Sequence, residues 1–136
     1  MHSRSLWQWH DGGVERASVA DWVADYERIW RTPGTEGLAE LFSADATYLP
    51  SPWARPVEGL PAIAEFWDRE REGPDEPFTM AAEVVAVDGP TAVVRVSVEY
   101  GSGKPWRDLW LLRFDESGRC AAFEEWPFAP DQYDGH

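Results

Sequence analysis

The side chains best suited to proton transfer lie near the end of the chain. Phe123 and Glu125 alternate along an apolar run, and side chains two residues apart in a β-strand point to the same face. If Phe123 faces an apolar core, Glu125 faces it too, and burial there raises the pKa of the carboxyl toward the range of a general acid or base. A structural interpretation stays open, in which Glu124 faces outward and Glu125 is the ion-pair partner of Arg95.

Arg95 and Asp108 are two further charged side chains that alternate with apolar residues in strand-like runs. Arg95 shares a face with Ser97, and the opposite face carries a row of valines. The simplest interpretation packs the valines on the core and turns Arg95 to solvent. Asp108 alternates with Trp106 and Trp110, which puts it either at the rim of a pocket or in solvent next to a turn.

Three helices are predicted in the first half of the chain. Apolar residues recur at helical spacing over residues 18–31, a short helix follows from Thr35, and a third covers residues 60–72. Ser18 and Asp21 resemble a capping box at the start of the first helix.

Strands dominate the rest of the chain. A short strand at residues 46–49 is followed by a loop at 50–56, whose three prolines cannot donate ladder hydrogen bonds. Four longer strands, separated by short turn segments, predict an antiparallel meander. They cover residues 78–88, 91–100, 106–114 and 119–126. Helices first and strands afterwards indicate an α+β fold with the helices packed on one face of a curved sheet.

Composition excludes several classes of function. The 136 residues carry a net charge of −13, which disfavours binding to a polyanion such as nucleic acid. The single cysteine, Cys120, excludes an internal disulfide framework, and no apolar run reaches the ~20 residues that span a bilayer. His2, His10 and His136 lack the spacing of metal ligands, so we expect no metal and no other cofactor. The first residues lack the apolar core of a signal peptide, and we expect a cytoplasmic protein.

Three segments carry a resemblance to a known family. They are residues 41–48, 59–67 and 112–120. Together with the order of helices and strands, they resemble the NTF2-like superfamily and, within it, the SnoaL-like proteins. The resemblance covers residues 18–128, preceded by an extended lead-in at 1–17 and followed by a short tail at 129–136. It implies a cystatin-like α+β cone, with three N-terminal helices packed on a curved, mostly antiparallel sheet around an apolar pocket.

This family includes polyketide cyclases, steroid isomerases and limonene epoxide hydrolases. By the resemblance, the oxyanion-donating tyrosine of the steroid isomerases corresponds to Tyr26. Their general base corresponds to Pro50, which cannot accept a proton, and their second oxyanion acid to Trp110, a weaker donor. Steroid-isomerase chemistry of the familiar kind is therefore not expected.

The epoxide hydrolases and cyclases add further candidates by the same resemblance. Tyr48 corresponds to a water-holding tyrosine of the hydrolases, and Arg95 to their arginine. Ser97 replaces one of the two aspartates that flank this arginine, and Glu125 occupies the position of the other aspartate. SnoaL-type cyclases also use a carboxylate of the last strand as base, which again favours Glu125. Sheets of this superfamily are often covered on both faces, and in that case Arg95 lines the cavity.

The leading hypothesis is a cofactor-free enzyme of the cyclase, isomerase, dehydratase or hydrolase type that acts on a small hydrophobic molecule. In this hypothesis Glu125 transfers the proton, and Arg95 orients either Glu125 or the substrate. Tyr26 or Tyr48 steadies an oxyanion. The expected substrate-binding residues are Trp30, Trp67, Trp110, Ser97 and Asp108.

Two further expectations concern assembly and the rival function. We expect a homodimer formed through the sheet. The alternative to an enzyme is a non-catalytic ligand-binding or scaffold module, and the missing isomerase acids at Pro50 and Trp110 favour it. Tryptophans that fill the interior would indicate the scaffold, whereas tryptophans that line an open pocket would indicate ligand binding.

Overall fold

The computed structural model describes residues 9–10, 13–71, 77–101 and 105–132. The helices within these ranges are α1 (Arg16–Trp30), α2 (Leu38–Leu41) and α3 (Leu60–Glu70). The strands are β1 (Trp9–His10), β2 (Gly13–Val14), β3 (Phe42–Leu49), β4 (Val57–Glu58), β5 (Phe78–Asp88), β6 (Thr91–Tyr100), β7 (Pro105–Phe114) and β8 (Cys120–Phe128). A 3₁₀ turn at Pro130–Gln132 follows β8.

Helix α1 forms because one of its faces is apolar. Trp22, Tyr26 and Ile29 follow one another at spacings of three and four residues and are all buried, which is the pattern of a helix packed on a core. The helix begins two residues earlier than predicted, after Glu15 in an extended conformation. Ser18 therefore lies inside the helix and is buried, so the predicted capping box was wrong.

Six strands form one mixed sheet in the order β4-β3-β8-β7-β6-β5. Strands β5 to β8 pair antiparallel in sequence order, which confirms the predicted meander. Strand β3 pairs with β8 in parallel orientation. Its start at Phe42 rather than Ala46, and the short β4, were not predicted. Because β4 and β5 lie at opposite edges of the sheet without pairing, the sheet is open and not a closed barrel.

The two faces of this sheet differ because side chains alternate along each strand. We call the face that contacts α1 the inner face; Trp110 belongs to it, since its ring centroid lies 4.6 Å from that of Tyr26. Glu125 stands opposite Trp110 on the neighbouring strand and shares this face. The outer face carries the alternating residues, among them Arg95, Ser97, Leu109, Leu111, Glu124, Trp126 and Phe128.

One part of the inner face is closed by packing against α1. Trp22 packs edge-on against Phe42 and Phe114, with ring centroids 5.8 and 5.7 Å apart. Its indole N–H donates to the carbonyl oxygen of Leu41 at 2.9 Å. Cys120 lies in the same buried cluster, where burial raises the pKa of its thiol to about 12. The thiol thus packs as a small apolar group.

Parts of the predicted ends lie outside the described residues. Positions 1–8 and 11–12 of the lead-in and 133–136 of the tail belong to these gaps, and the domain limits stay predictions. No helix in the described ranges is long and apolar enough to cross a membrane. The expected cytoplasmic location stays a prediction.

Candidate active site

A cavity of about 410 Å³ opens between α1, α3 and the inner face of the sheet. Its size lies within the usual range of small-molecule sites, roughly 300–1,000 Å³. Aromatic side chains make much of its wall, and three carboxyls, those of Glu70, Asp108 and Glu125, face it. The aromatic residues of the wall include Tyr26, Trp30, Tyr48, Phe66, Trp106 and Trp110.

Asp108 on β7 and Glu125 on β8 bring two carboxyls next to each other at the cavity wall. Strand alternation turns both to the inner face, where Asp108 is 6% exposed and Glu125 is partly buried. Burial, and after it the nearby carboxyls of Asp108 and Glu70, raise the pKa of Glu125 well above its ordinary value. Glu125 therefore keeps its proton at a pH where an isolated carboxyl would be ionised.

Two polar atoms at this wall are buried without a hydrogen-bond partner among the residues that the structure describes. They are Oδ1 of Asp108, an acceptor, and Nε1 of Trp110, a donor. Buried polar groups of native proteins are nearly always paired. The two atoms therefore mark a place where a bound molecule can complete the hydrogen bonds.

Tyr26 from α1 and Tyr48 from β3 bring two hydroxyls to the same cavity. Their oxygens lie 3.4 Å apart, close enough to share a hydrogen bond. The ring of Tyr48 stacks on Phe123 with centroids 4.6 Å apart, which holds it in place. Burial raises the pKa of both hydroxyls well above the ordinary value, so both remain neutral donors.

The three tryptophans expected to bind substrate divide between the wall and the core. Trp30 and Trp110 line the cavity. Trp67 is fully buried, with its ring centroid 4.7 Å from that of Trp30 and 5.1 Å from that of Tyr26. Its indole N–H lies near the Tyr48 hydroxyl without completing a hydrogen bond of good geometry. Trp67 thus supports the wall from the core.

Arg95 and Ser97 lie on the outer face, away from this cavity. The Arg95 side chain is 61% exposed, and its Nη1 donates to Oε1 of Glu83 on the neighbouring strand at 2.7 Å. This placement corrects the expectation that Arg95 and Ser97 line the pocket; the valines of β6 take the inner face because it is the apolar one. It also excludes Arg95 as the ion-pair partner of Glu125.

Sequence reasoning missed the contribution of α3 to the cavity. Glu70 was not among the expected site residues, but it lines the cavity one turn after Phe66, which lines it too. Residues four apart share a face of a helix, so the spacing of Phe66 and Glu70 was the signal that could have found it. Among the described residues, no group of three or more His, Cys, Asp or Glu side chains is arranged to hold a metal ion.

The mixed sheet, the helices before it and the cavity on its inner face define an NTF2-like fold. The sequence matches the family model of the SnoaL-like domain over residues 19–123. The chain therefore belongs to the SnoaL-like family, as the resemblance indicated. No curated protein matches it in sequence.

Solved structures similar to this chain share the fold. A steroid delta-isomerase from Pseudomonas aeruginosa is 22% identical, with a TM-score of 0.60 and coverage of 85% of this chain and 82% of the isomerase. A candidate polyketide cyclase from Sinorhizobium meliloti is 24% identical, with a TM-score of 0.63 and coverage of 79% and 97%. The epoxide hydrolase/cyclase-like enzyme SalBIII, which has a role in pyran ring formation in the polyether salinomycin, is 15% identical, with a TM-score of 0.66 and coverage of 84% and 93%.

Proposed function

We propose that this protein is a cofactor-independent enzyme of the isomerase or cyclase type, which moves a proton on a small hydrophobic molecule held in the aromatic cavity. The observation that carries the proposal is the pair of carboxyls, Asp108 and Glu125, inside that cavity. The structural similarity to a steroid delta-isomerase and to a candidate polyketide cyclase supports this class of reaction.

In this proposal Glu125 is the general acid and base. A proton-transfer group works best when its pKa lies near the operating pH, and the surroundings of Glu125 raise its pKa in that direction. In its protonated form Glu125 can donate a proton to the substrate, and in its ionised form it can accept one. Isomerisation and cyclisation both require that a proton be removed from one atom of the substrate and that a proton be delivered to another.

Tyr26, Tyr48 and Trp110 supply donors for negative charge that develops on the substrate. The two hydroxyls are neutral and adjacent, and the Trp110 N–H has no hydrogen-bond partner in the described ranges. Donors held in place before reaction stabilise an oxyanion more than mobile water does. By the family resemblance the isomerase base would stand at Pro50, which lines the cavity; here the proton passes instead through residues of β7 and β8.

Glu125→Gln and Glu124→Gln are matched variants that test this proposal. Each replaces one carboxyl of β8 by an amide, but only the side chain of Glu125 faces the cavity. The assay is the exchange of α-protons for deuterium in a panel of hydrophobic ketones, followed by NMR in D₂O. We expect Glu125→Gln to slow the exchange of a responsive ketone about 10²–10⁴-fold, and Glu124→Gln to leave it unchanged.

Equal exchange rates for Glu125→Gln and the unaltered protein would contradict the assignment. A ketone that binds without any catalysed exchange would favour the rival function, a non-catalytic ligand-binding module.

We also propose that the chain forms a homodimer through the outer face of the sheet. Leu109, Trp126 and Phe128 lie on neighbouring strands of that face and are 39%, 39% and 44% exposed. Clustered apolar side chains at a surface are a mark of interfaces. Proteins of the NTF2-like family often form dimers, which supports the proposal. Sedimentation equilibrium measures the number of chains per particle directly.

A further inference from the structure

We propose that the cavity selects hydrophobic organic cations, such as protonated amines, over neutral and anionic molecules of the same shape. The inference rests on the proposed function only in taking the same cavity as the substrate site. Selection between ligands can be measured without turnover, so the two proposals can fail separately.

The charges that line the cavity are all of one sign among the described residues. Glu70, Asp108 and Glu125 face it, and no lysine or arginine of the described ranges lines it. The net charge of the chain, −13, adds a negative field that attracts cations. These carboxyls repel an anion, and a neutral molecule brings no charge to balance them. A cation supplies that charge.

Two arginines pack near the aromatic wall, but both are engaged elsewhere. Arg71 lies 5.7 Å from the ring centroid of Trp30, and its guanidinium donates to two backbone carbonyls at 2.8 Å each. Arg31 stacks over Phe78 at 3.8 Å and pairs with Glu27 at 2.7 Å. Among the described residues, the ion pairs of these two arginines are with Asp68 and Glu27 and not with the carboxyls of the cavity.

Asp108 gives a bound cation a specific partner. Its Oδ1 is buried at the cavity wall and has no hydrogen-bond partner within the described part of the chain. A carboxylate oxygen only accepts hydrogen bonds, so the matching ligand must present a donor. A protonated amine presents both N–H donors and the opposite charge, and charge-assisted hydrogen bonds are stronger than neutral ones.

The aromatic wall adds a second attraction for the same kind of ligand. Tyr26 and Trp30 are stacked, with ring centroids 6.3 Å apart and planes inclined by only 4°. Both rings line the cavity together with Trp110. The faces of such rings attract cations, and the same faces pack against the apolar body of a ligand. A ligand with a hydrophobic body and an ammonium end matches both features.

Three probes of similar shape and different charge test the selection. They are 4-phenylbutylammonium, pentylbenzene and 5-phenylpentanoate, which carry a positive, no and a negative charge. We expect calorimetric titration at neutral pH to give a dissociation constant for the ammonium at least about tenfold lower than for the other two. The proposal is wrong if either other probe binds as tightly, or if the ammonium does not bind.

Two variants then test whether Asp108 causes the preference for the ammonium probe. Asp108→Asn neutralises the unpartnered carboxyl, and Glu124→Gln removes the same charge from the outer face. We expect the preference for the ammonium to fall about tenfold in Asp108→Asn and to stay unchanged in Glu124→Gln. An unchanged preference in folded Asp108→Asn contradicts the proposed partner. If that variant does not fold, Glu70→Gln at the exposed rim takes its place, and a preference that does not fall there overturns the proposal.

The outcome also separates this inference from the proposed function. Glu125-dependent proton exchange without any preference for the ammonium would reject the inference and retain the enzyme. A preference for the ammonium without Glu125-dependent exchange would retain the inference and reject the enzyme.

Discussion

Glu124 and Glu125 are adjacent carboxylates on one strand, yet their surroundings differ completely. Glu125 faces the cavity, where burial and two neighbouring carboxyls raise its pKa. Glu124 faces outward and accepts a hydrogen bond from the indole of Trp126 at 2.6 Å. A single step along a β-strand turns the side chain to the other face. The same residue type therefore serves a candidate reaction on one face and an ordinary surface contact on the other.

The contrast extends to the two faces of the sheet. On the outer face, Arg95 and Glu83 pair as opposite charges in solvent. On the inner face, Asp108 and Glu125 are like groups held together among aromatic rings. Bringing like carboxyls into a covered site costs stability. Buried groups with shifted pKa values, such as Glu125, are typical of functional sites.

The largest effect that we expect is a loss in the free energy of unfolding when a leucine of the inner face, but not one of the outer face, is truncated. Leu112 on the inner face is 1% exposed and Leu109 on the outer face is 39% exposed, on the same strand. Leu112→Ala leaves a cavity in the core and should lower the free energy of unfolding by about 2–5 kcal/mol. Leu109→Ala should change it by no more than about 0.5 kcal/mol in the monomer. Urea denaturation of both variants measures the difference.

Repeating the denaturation at several protein concentrations tests whether the outer face is also the dimer interface. If the outer face is the dimer interface, the loss caused by Leu109→Ala grows at concentrations where the dimer forms. Equal losses in the two variants at every concentration would contradict the division into an inner and an outer face.

The second prediction concerns pH and the carboxyl of Glu125. Its pKa is higher in the folded than in the unfolded chain, so the folded state binds more protons between the two values. The free energy of unfolding therefore falls as pH rises through this interval. The stabilisation that the Glu125 carboxyl contributes is complete below its ordinary pKa of about 4.5. This stabilisation is lost as pH rises through the raised pKa of the folded state. The slope for one group reaches about 1.4 kcal/mol per pH unit.

Urea denaturation at a series of pH values tests the assignment. Glu125→Gln should remove this slope, and Glu124→Gln should retain it. Parallel curves for Glu125→Gln and the unaltered protein would mean that another group causes the dependence.

Local periodicity explains how much of the fold could be predicted from the sequence. The four long strands lie within two residues of their predicted bounds, because alternation and turn residues are local signals. The same alternation puts Glu125 on the face of buried Phe123. The spacing of Trp22 and Tyr26 likewise marks the buried face of α1. Each of these features depends on residues a few positions apart.

The features that were missed depend on contacts between distant parts of the chain. The parallel pairing of β3 with β8, which sets Tyr48 beside Phe123, has no local signal. Alternation divides the residues of β6 into two sets but does not say which set is covered. The row of valines on β6 favoured an Arg95 turned to solvent, which the structure confirms, whereas the family resemblance favoured the cavity. The position of the strand between β5 and β7 decides between the two interpretations. Trp126 likewise carries no local signal for its place on the outer face, where it pairs with Leu109.

The smallest effect is expected at Arg95, the residue whose predicted role the structure changes most. Its side chain and that of Glu83 are 61% and 67% exposed, and ion pairs in solvent contribute about 0–1 kcal/mol. Arg95→Ala should thus lower the free energy of unfolding by less than about 1 kcal/mol. Because the guanidinium lies on the outer face, α-proton exchange and the preference for the ammonium probe should both stay unchanged. A loss of exchange comparable to that of Glu125→Gln would mean that a charge on the outer face acts on the cavity through the sheet, and the separation of the two faces would not hold.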